Sequence, residues 1–398
     1  MTKNAWGLTM RQKPFYFVLL SILILLMMGT VYSYSVFRYY IEEEYAIGPL
    51  DSGIPYMISL LFYALWMMIT GRFLKPHNAF KIALLGTFVI GIGWILASVS
   101  SSLLFLTLSY GVLIGSGVGL VYGVPILLAQ HYFPQKSGLI SGLILLGFGM
   151  SPLITAPLAS RGIEIWGLQS TFLIFGIAFL LIQAPMTFIF RQSSSHQVPL
   201  NRTALPTLSK DNSFWKLYLL FSVATTIGLM MIGLSYQVGV RQYQFSQRDV
   251  TLSLSLFALL NGIARPIFGK ITDRYGSSFA MTLSFGLMAF ASIIGLINQG
   301  QQLFLYIVSF GLFWFNLGAW LAIIPTMVKQ TYGIASYSRI YGKLFTAYGL
   351  GAIIGNVVSG TILEFFQSTM GLYTFILFVV FVSIGFVFRI KKTFRKAD

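Results

Sequence analysis

The sequence predicts an all-α membrane protein of twelve transmembrane helices arranged as two six-helix halves. Three observations carry that reading. Of 398 residues, 56% are hydrophobic and only 9% are charged, too little charge to cover a soluble surface of that size. The apolar residues gather in runs of about 20, the length that crosses a hydrocarbon core as a helix. The runs fall six and six about one polar segment, and the two halves (15–190 and 214–390) are nearly equal in length.

The first run, 15–37, follows Lys3, Arg11 and Lys13 as a signal peptide would. It is too long for a signal core and lacks a small-residue cleavage site, so it reads as a retained helix. Runs at 54–71, 79–99, 103–129, 138–160 and 168–190 complete the first half. Segment 191–213 contains Ser, Pro and Gln with no apolar run and reads as a linker. Runs at 214–236, 250–269, 278–298, 302–328, 340–363 and 370–389 form the second half. The domains expected are therefore 1–190, 191–213 and 214–398.

Charge sets the orientation. Twelve spans put both termini on one side; with that side cytoplasmic, 21 of the 26 Lys and Arg fall inside. Only Arg38, Arg161, Arg241 and Arg248 fall outside, together with most of the acids (Glu42, Glu43, Glu44, Asp51, Glu164, Asp249 and Glu364). Basic loops mark the cytoplasmic face, so a multi-pass protein of the cytoplasmic (plasma) membrane with both termini inside is expected. The formal charge of +16 thus reflects topology, and no nucleic-acid partner is expected. Cysteine is absent, and His77, His131 and His196 all lie in polar connections, so no metal site or cofactor is expected. An enzyme is disfavoured because the predicted spans hold no His, Asp, Glu or Cys from which to build a nucleophile and base. ATP-driven transport is disfavoured because the chain carries no Walker motif.

Motifs narrow the class. After the eighth run the chain reads Gly269-Lys270-Ile271-Thr272-Asp273-Arg274-Tyr275-Gly276. This is similar to the G-x-x-x-D-R-x-G loop of the major facilitator superfamily. In that family's pattern Gly269, Asp273 and Arg274 would serve a cytoplasmic gate, the Asp capping or pairing near a helix end and the Arg bonding carbonyls. The counterpart after the second run keeps Gly71-Arg72 but has Lys75 for the acid and Asn78 for the last Gly. Further stretches resemble the oxalate/formate antiporters, neighbours of the monocarboxylate transporters: Gly29 to Phe37, Tyr122-Gly123-Val124-Pro125, Tyr132-Phe133-Pro134, Lys136-Ser137-Gly138, Asn261-Gly262-Ile263-Ala264-Arg265-Pro266, and Tyr341 to Gly349. The resemblance implies a 6+6 pseudo-symmetric major facilitator fold, a solute site between the halves near the midplane, and a monomer.

Arg265 is the residue most informative about the solute. An Arg at a helix centre costs about 2.5–3.5 kcal/mol on insertion scales, so it is usually kept for a partner. No predicted span offers a carboxylate, and Asn261, one turn away, can hydrogen-bond but not neutralise it. A desolvated guanidinium suits two-point contact with a carboxylate. The competing reading is that Arg265, four residues before Gly269, snorkels to the cytoplasmic surface. The resemblance favours the first reading, because such carriers place a substrate-binding Arg here. Oxalate carriers add a Lys in span 11; here the matching position is Tyr348, and Lys343 lies nearer the cytoplasm. One cation points to a monocarboxylate such as formate, lactate or pyruvate. Asn261 also replaces the Asp of proton-coupled relatives, leaving exchange, facilitated diffusion and substrate-borne proton symport open. Tyr32, Tyr122, Trp320 and Tyr348 fall on spans that line the cavity in this fold, where their polar tips can complete a carboxylate's hydrogen bonds. A drug or other efflux carrier of the same fold is the alternative, although the intramembrane acid it would want is not visible. Gly111, Gly115, Gly119 and Gly123 form a stripe suited to close helix packing.

Overall fold

The structure is a computed structural model that describes residues 13–133, 137–195, 212–298, 302–366 and 368–394. Most of the expected linker (196–211) lies outside them, as do His196 and several of the counted cytoplasmic charges, Lys3, Arg11, Lys136, Arg202 and Lys210 among them. Among the described residues all regular structure is helical. Lipid offers no partner for backbone N–H and C=O groups, and a helix satisfies them within one segment.

The spans are α1 (Pro14–Glu44), α2 (Leu50–Phe73), α3 (Pro76–Ala97), α4 (Leu103–Ala129), then a continuous stretch Ile140–Arg191, followed by α7 (Asn212–Gln242), α8 (Gln247–Tyr275), α9 (Ser277–Asn298), α10 (Leu303–Gly333), α11 (Arg339–Leu363) and α12 (Met370–Arg389). The stretch is two spans, α5 (140–166) and α6 (168–191), meeting at Gly167 with φ +81°. Gly162 and Thr171 would lie about 13 Å apart on a straight helix. A Cβ built on Gly162 would instead sit 3.0 Å from the Thr171 hydroxyl, so the chain reverses between them. Only glycine takes that backbone conformation without strain. Gly333, φ +72°, makes the corresponding break between α10 and α11.

Glycines set how closely the helices approach. A Cβ on Gly115 would fall 2.3 Å from the Ser59 carbonyl, and one on Gly119 2.4 Å from that of Tyr63. The expected stripe on α4 is therefore the seat of α2, as close van der Waals packing in lipid requires. Gly351 places α11 equally close to Thr225 and Thr226 of α7. Between the halves, α5 packs along α8 and α2 along α11, while α1 meets α7 near the face opposite the termini.

Three helices, α1, α7 and α8, run six or seven residues past their expected ends, and each extension changes the reading of a charge, that of α7 taking Arg241 into the helix. α8 continues six residues past Gly269 to Tyr275, which puts Arg265 about 15 Å of helix rise from the end. α1 continues to Glu44, so Arg38 and Glu42 are not loop charges: each is only 4% exposed, inside the bundle. The expectation that no span carries a carboxylate is corrected accordingly. Hydropathy ended α1 at Phe37 because polar residues follow; mutual pairing of those residues lets the helix go on.

Candidate functional site

The site grows from α8. Arg265 is 0% exposed, so it does not snorkel. Its Nη1 donates to the Leu145 carbonyl of α5, in the other half. Its Nη2 donates to Asn261 Oδ1 at 3.2 Å, and the guanidinium carbon stands 5.8 Å from the centre of the Phe148 ring. Nε has no acceptor. Among the described residues no carboxylate reaches Arg265. The central cation is thus held by neutral oxygens and an aromatic face, with donor capacity left over.

Asn261 fixes this arrangement. Its Nδ2 donates to the Trp314 carbonyl of α10 at 2.7 Å while its Oδ1 accepts from Arg265. The close approach is permitted by Gly318, where a Cβ would lie 2.1 Å from the Asn261 carbonyl. Asn261→Leu keeps the branched outline and strips both bonds, leaving a buried carbonyl and a guanidinium N–H unpaired. The expected loss is about 1–3 kcal/mol of stability, read as a lower melting temperature in detergent.

Aromatic rings from both halves cover the guanidinium. From the first half come Tyr32, Tyr63, Tyr122 and Phe148; Tyr32 and Tyr122 each meet Phe148 edge-on, at 5.1 and 5.2 Å. From the second come Trp314, Phe345 and Tyr348, with Phe345 stacked on Tyr348 at 4.8 Å. The Tyr32 and Tyr348 hydroxyls hydrogen-bond across the interface at 2.7 Å. Tyr32 sits on a 3-10 turn, Gly29–Ser33, that tightens α1 at this level. The halves therefore meet at the centre as well as at the rim, an occluded arrangement.

Among the candidates named from sequence, Arg265, Asn261, Tyr32, Tyr122 and Tyr348 are brought together. Trp320 is not in the cluster: it packs within the second half, 5.1 Å from the Phe285 ring and 6.5 Å from that of Phe221. The α10 aromatic at the site is Trp314, 6.4 Å from Tyr32, with its Nε1 anchored on Ser235. Phe148, Tyr63, Phe345 and Trp314 were missed because nothing in the sequence separates them from the chain's other aromatics. Toward the end of the bundle that carries the termini a cavity remains between α2, α4 and α11, lined by Met67, Thr70, Gly119, Gly123, Tyr337 and Tyr341.

The gate-motif residues lie at the C-terminal end of α8. Asp273 and Arg274 are exposed, and Gly269 is half-buried with open space beside it. Asp273 lies in the field of Lys329 at the end of α10. Arg274 stands 5.3 Å from the Tyr275 ring centre and bonds no carbonyl among the described residues. In the degenerate loop after α2, Asn78 holds the turn locally, accepting from the Lys75 N–H and donating to the Phe73 carbonyl.

Comparison with known proteins gives a consistent frame. The family model described as Major Facilitator Superfamily matches residues 18–292 and 219–398. The oxalate:formate antiporter of Oxalobacter formigenes is 26% identical over 359 residues, 87% of this chain and 84% of that protein. Monocarboxylate transporter 9 of Gallus gallus is 22% identical over 413 residues, covering 81% and 80% of the two chains. Among solved structures, a bacterial homolog of the human lysosomal transporter Spinster, in an inward-facing and unoccupied conformation, superimposes with a TM-score of 0.71. That match covers 98% of this chain and 99% of the other at 13% identity, a likeness of fold alone.

Proposed function

The chain belongs to the Major Facilitator Superfamily of membrane transporters, and from that premise we propose that it carries a small organic monocarboxylate by alternating access. The supporting observation is Arg265, fully buried between the halves with no carboxylate partner among the described residues. In that setting a bound carboxylate is the missing counter-ion, and the planar guanidinium can hold it through two parallel hydrogen bonds. Asn261 orients the guanidinium, and the Tyr32, Tyr122 and Tyr348 hydroxyls serve as further donors. Phe148 and Trp314 exclude water, which strengthens each charge contact. The names of the relatives point the same way, one to oxalate and formate, another to monocarboxylates.

A single cation favours one carboxylate over two. Lys343 is half-buried and makes no ion pair among the described residues, and Tyr348 offers a hydroxyl in place of a charge. A dianion would bring a second charge into the occluded centre with nothing to neutralise it. In the proposed setting the carrier is a monomer in the cytoplasmic membrane with both termini inside.

Counterflow checks the proposal directly. Proteoliposomes loaded with unlabelled formate, lactate, pyruvate, acetate or oxalate are diluted into labelled monocarboxylate. Monocarboxylates inside are expected to drive accumulation at least about tenfold better than oxalate, the equivalent of ~1.4 kcal/mol of discrimination. Equal exchange with oxalate would overturn the monoanion assignment. No exchange with any of the five would overturn the organic-anion reading.

A further inference from the structure

A second set of charges, unrelated to the central Arg, joins the halves at the face opposite the termini. Within the first half, Glu42 Oε1 accepts from the Ser52 hydroxyl at 2.6 Å and lies 3.5 Å from Arg38 Nε. Arg38 Nε donates to the same hydroxyl at 2.9 Å, and the Tyr34 hydroxyl donates to the Ser52 carbonyl at 2.7 Å. Two links then cross to α7. Arg241 Nη1 pairs with Glu42 Oε2, and Arg38 Nη1 donates to the Gly233 carbonyl at 3.1 Å. Above them the Arg241 guanidinium stands 5.5 Å from the Tyr39 ring, which meets Tyr236 edge-on. The end of α7 widens into a π turn, Val238–Gln242, and this turn carries Arg241.

An exposed ion pair would contribute little; here Arg241 reaches in from the surface, 39% exposed, but the Glu42 side chain it meets is only 2% exposed. A buried carboxylate that loses one of its cations is strongly destabilised, so separation of α1 from α7 must either rehydrate or re-pair Glu42. The links come from the first helix of each half, which diverge when a rocking carrier opens. We propose that Glu42, Arg38 and Arg241 form an ion latch that holds this face shut, its release being the step that opens the carrier to that side. The inference rests on family membership and not on the nature of the solute, and its test uses none.

The natural sequence has no cysteine, so single thiols report cleanly. Tyr56, 5% exposed, lies directly beneath the latch, its ring 3.3 Å from where a Gly233 Cβ would be. Thr70 lines the cavity at the opposite end of the interface. Maleimide labelling of Tyr56→Cys and of Thr70→Cys is followed in purified protein, each with the latch intact, with Glu42→Gln, with Arg241→Gln or with Arg241→Lys. Either Gln variant is expected to speed labelling at Tyr56→Cys about tenfold and to slow it at Thr70→Cys, the sign of a two-state shift. Arg241→Lys, which keeps the charge, is expected to stay near the parent rates at both positions. Unchanged labelling at Tyr56→Cys in both Gln variants would overturn the latch. So would a rise at both reporters together, which marks general loosening instead of gating.

Discussion

Arg265→Met is expected to abolish uptake of labelled monocarboxylate into proteoliposomes without lowering the melting temperature of the protein. The two readouts move apart because the cation has two roles. With solute bound it is half of a buried ion pair, and truncating one member of such a pair costs about 2–5 kcal/mol, a loss of thirtyfold to several thousandfold in affinity. Without solute it is a buried charge held only by the Leu145 carbonyl, Asn261 and the Phe148 face. Replacing such a group with an apolar side chain of similar length removes an uncompensated buried charge, which offsets the cost of the two acceptors left without their donor. A residue kept merely for packing would show the opposite pattern, with stability falling and uptake following it. Arg265→Lys keeps the charge but not the planar fork, so it should retain a small fraction of uptake with a raised KM. Uptake by Arg265→Met at more than about a tenth of the parent rate would remove the central cation from the solute site.

Gly149→Val is expected to cause the second largest loss, through the interface rather than the charge. Gly149 lies on α5 against α8, where an added Cβ would sit 2.7 Å from Asn261 Oδ1 and 2.9 Å from the Gly262 Cα. Backbone cannot yield as a side-chain tip can. Valine therefore pushes the halves apart at the level of Arg265 and displaces the amide that orients it. Overpacking of this kind costs about 1–3 kcal/mol, borne mainly by the occluded state in which the two glycines touch. Since a carrier must pass through that state in each cycle, uptake should fall about tenfold or more while the protein still inserts. Gly149→Ala should fall between, and Gly286→Ala, where a Cβ meets nothing within 4 Å, should leave uptake unchanged. Wild-type uptake in Gly149→Val would show that α5 and α8 need not close this tightly.

How far the site was legible from residues alone varies with the kind of signal. Arg265 stood out because a charge in an apolar run is rare and costly, a contrast visible in one dimension. Tyr32, Tyr122 and Tyr348 came from motif resemblance and do gather around it. Trp314 and Trp320 are six residues apart on α10, both fully buried, yet only the first meets Tyr32. Both faces of such a helix are apolar, so periodicity cannot tell the half that faces the partner bundle from the half that faces its own. The latch was hidden for another reason. Arg38, Glu42 and Arg241 look like loop charges until α1 and α7 are seen to run on together, each supplying what the other's charge needs.

Span number, the 6+6 division and the bias of basic loops to one face were readable along the chain, because hydropathy, helix length and topogenic charge are local properties that need no neighbour. Which rings surround Arg265, and the burial of Glu42 between two arginines, were settled by helices far apart in sequence packing against one another. In an apolar bundle the identity of a facing residue depends on rotation and depth set by glycine contacts and hydrogen bonds between distant segments, and a linear pattern carries no record of either.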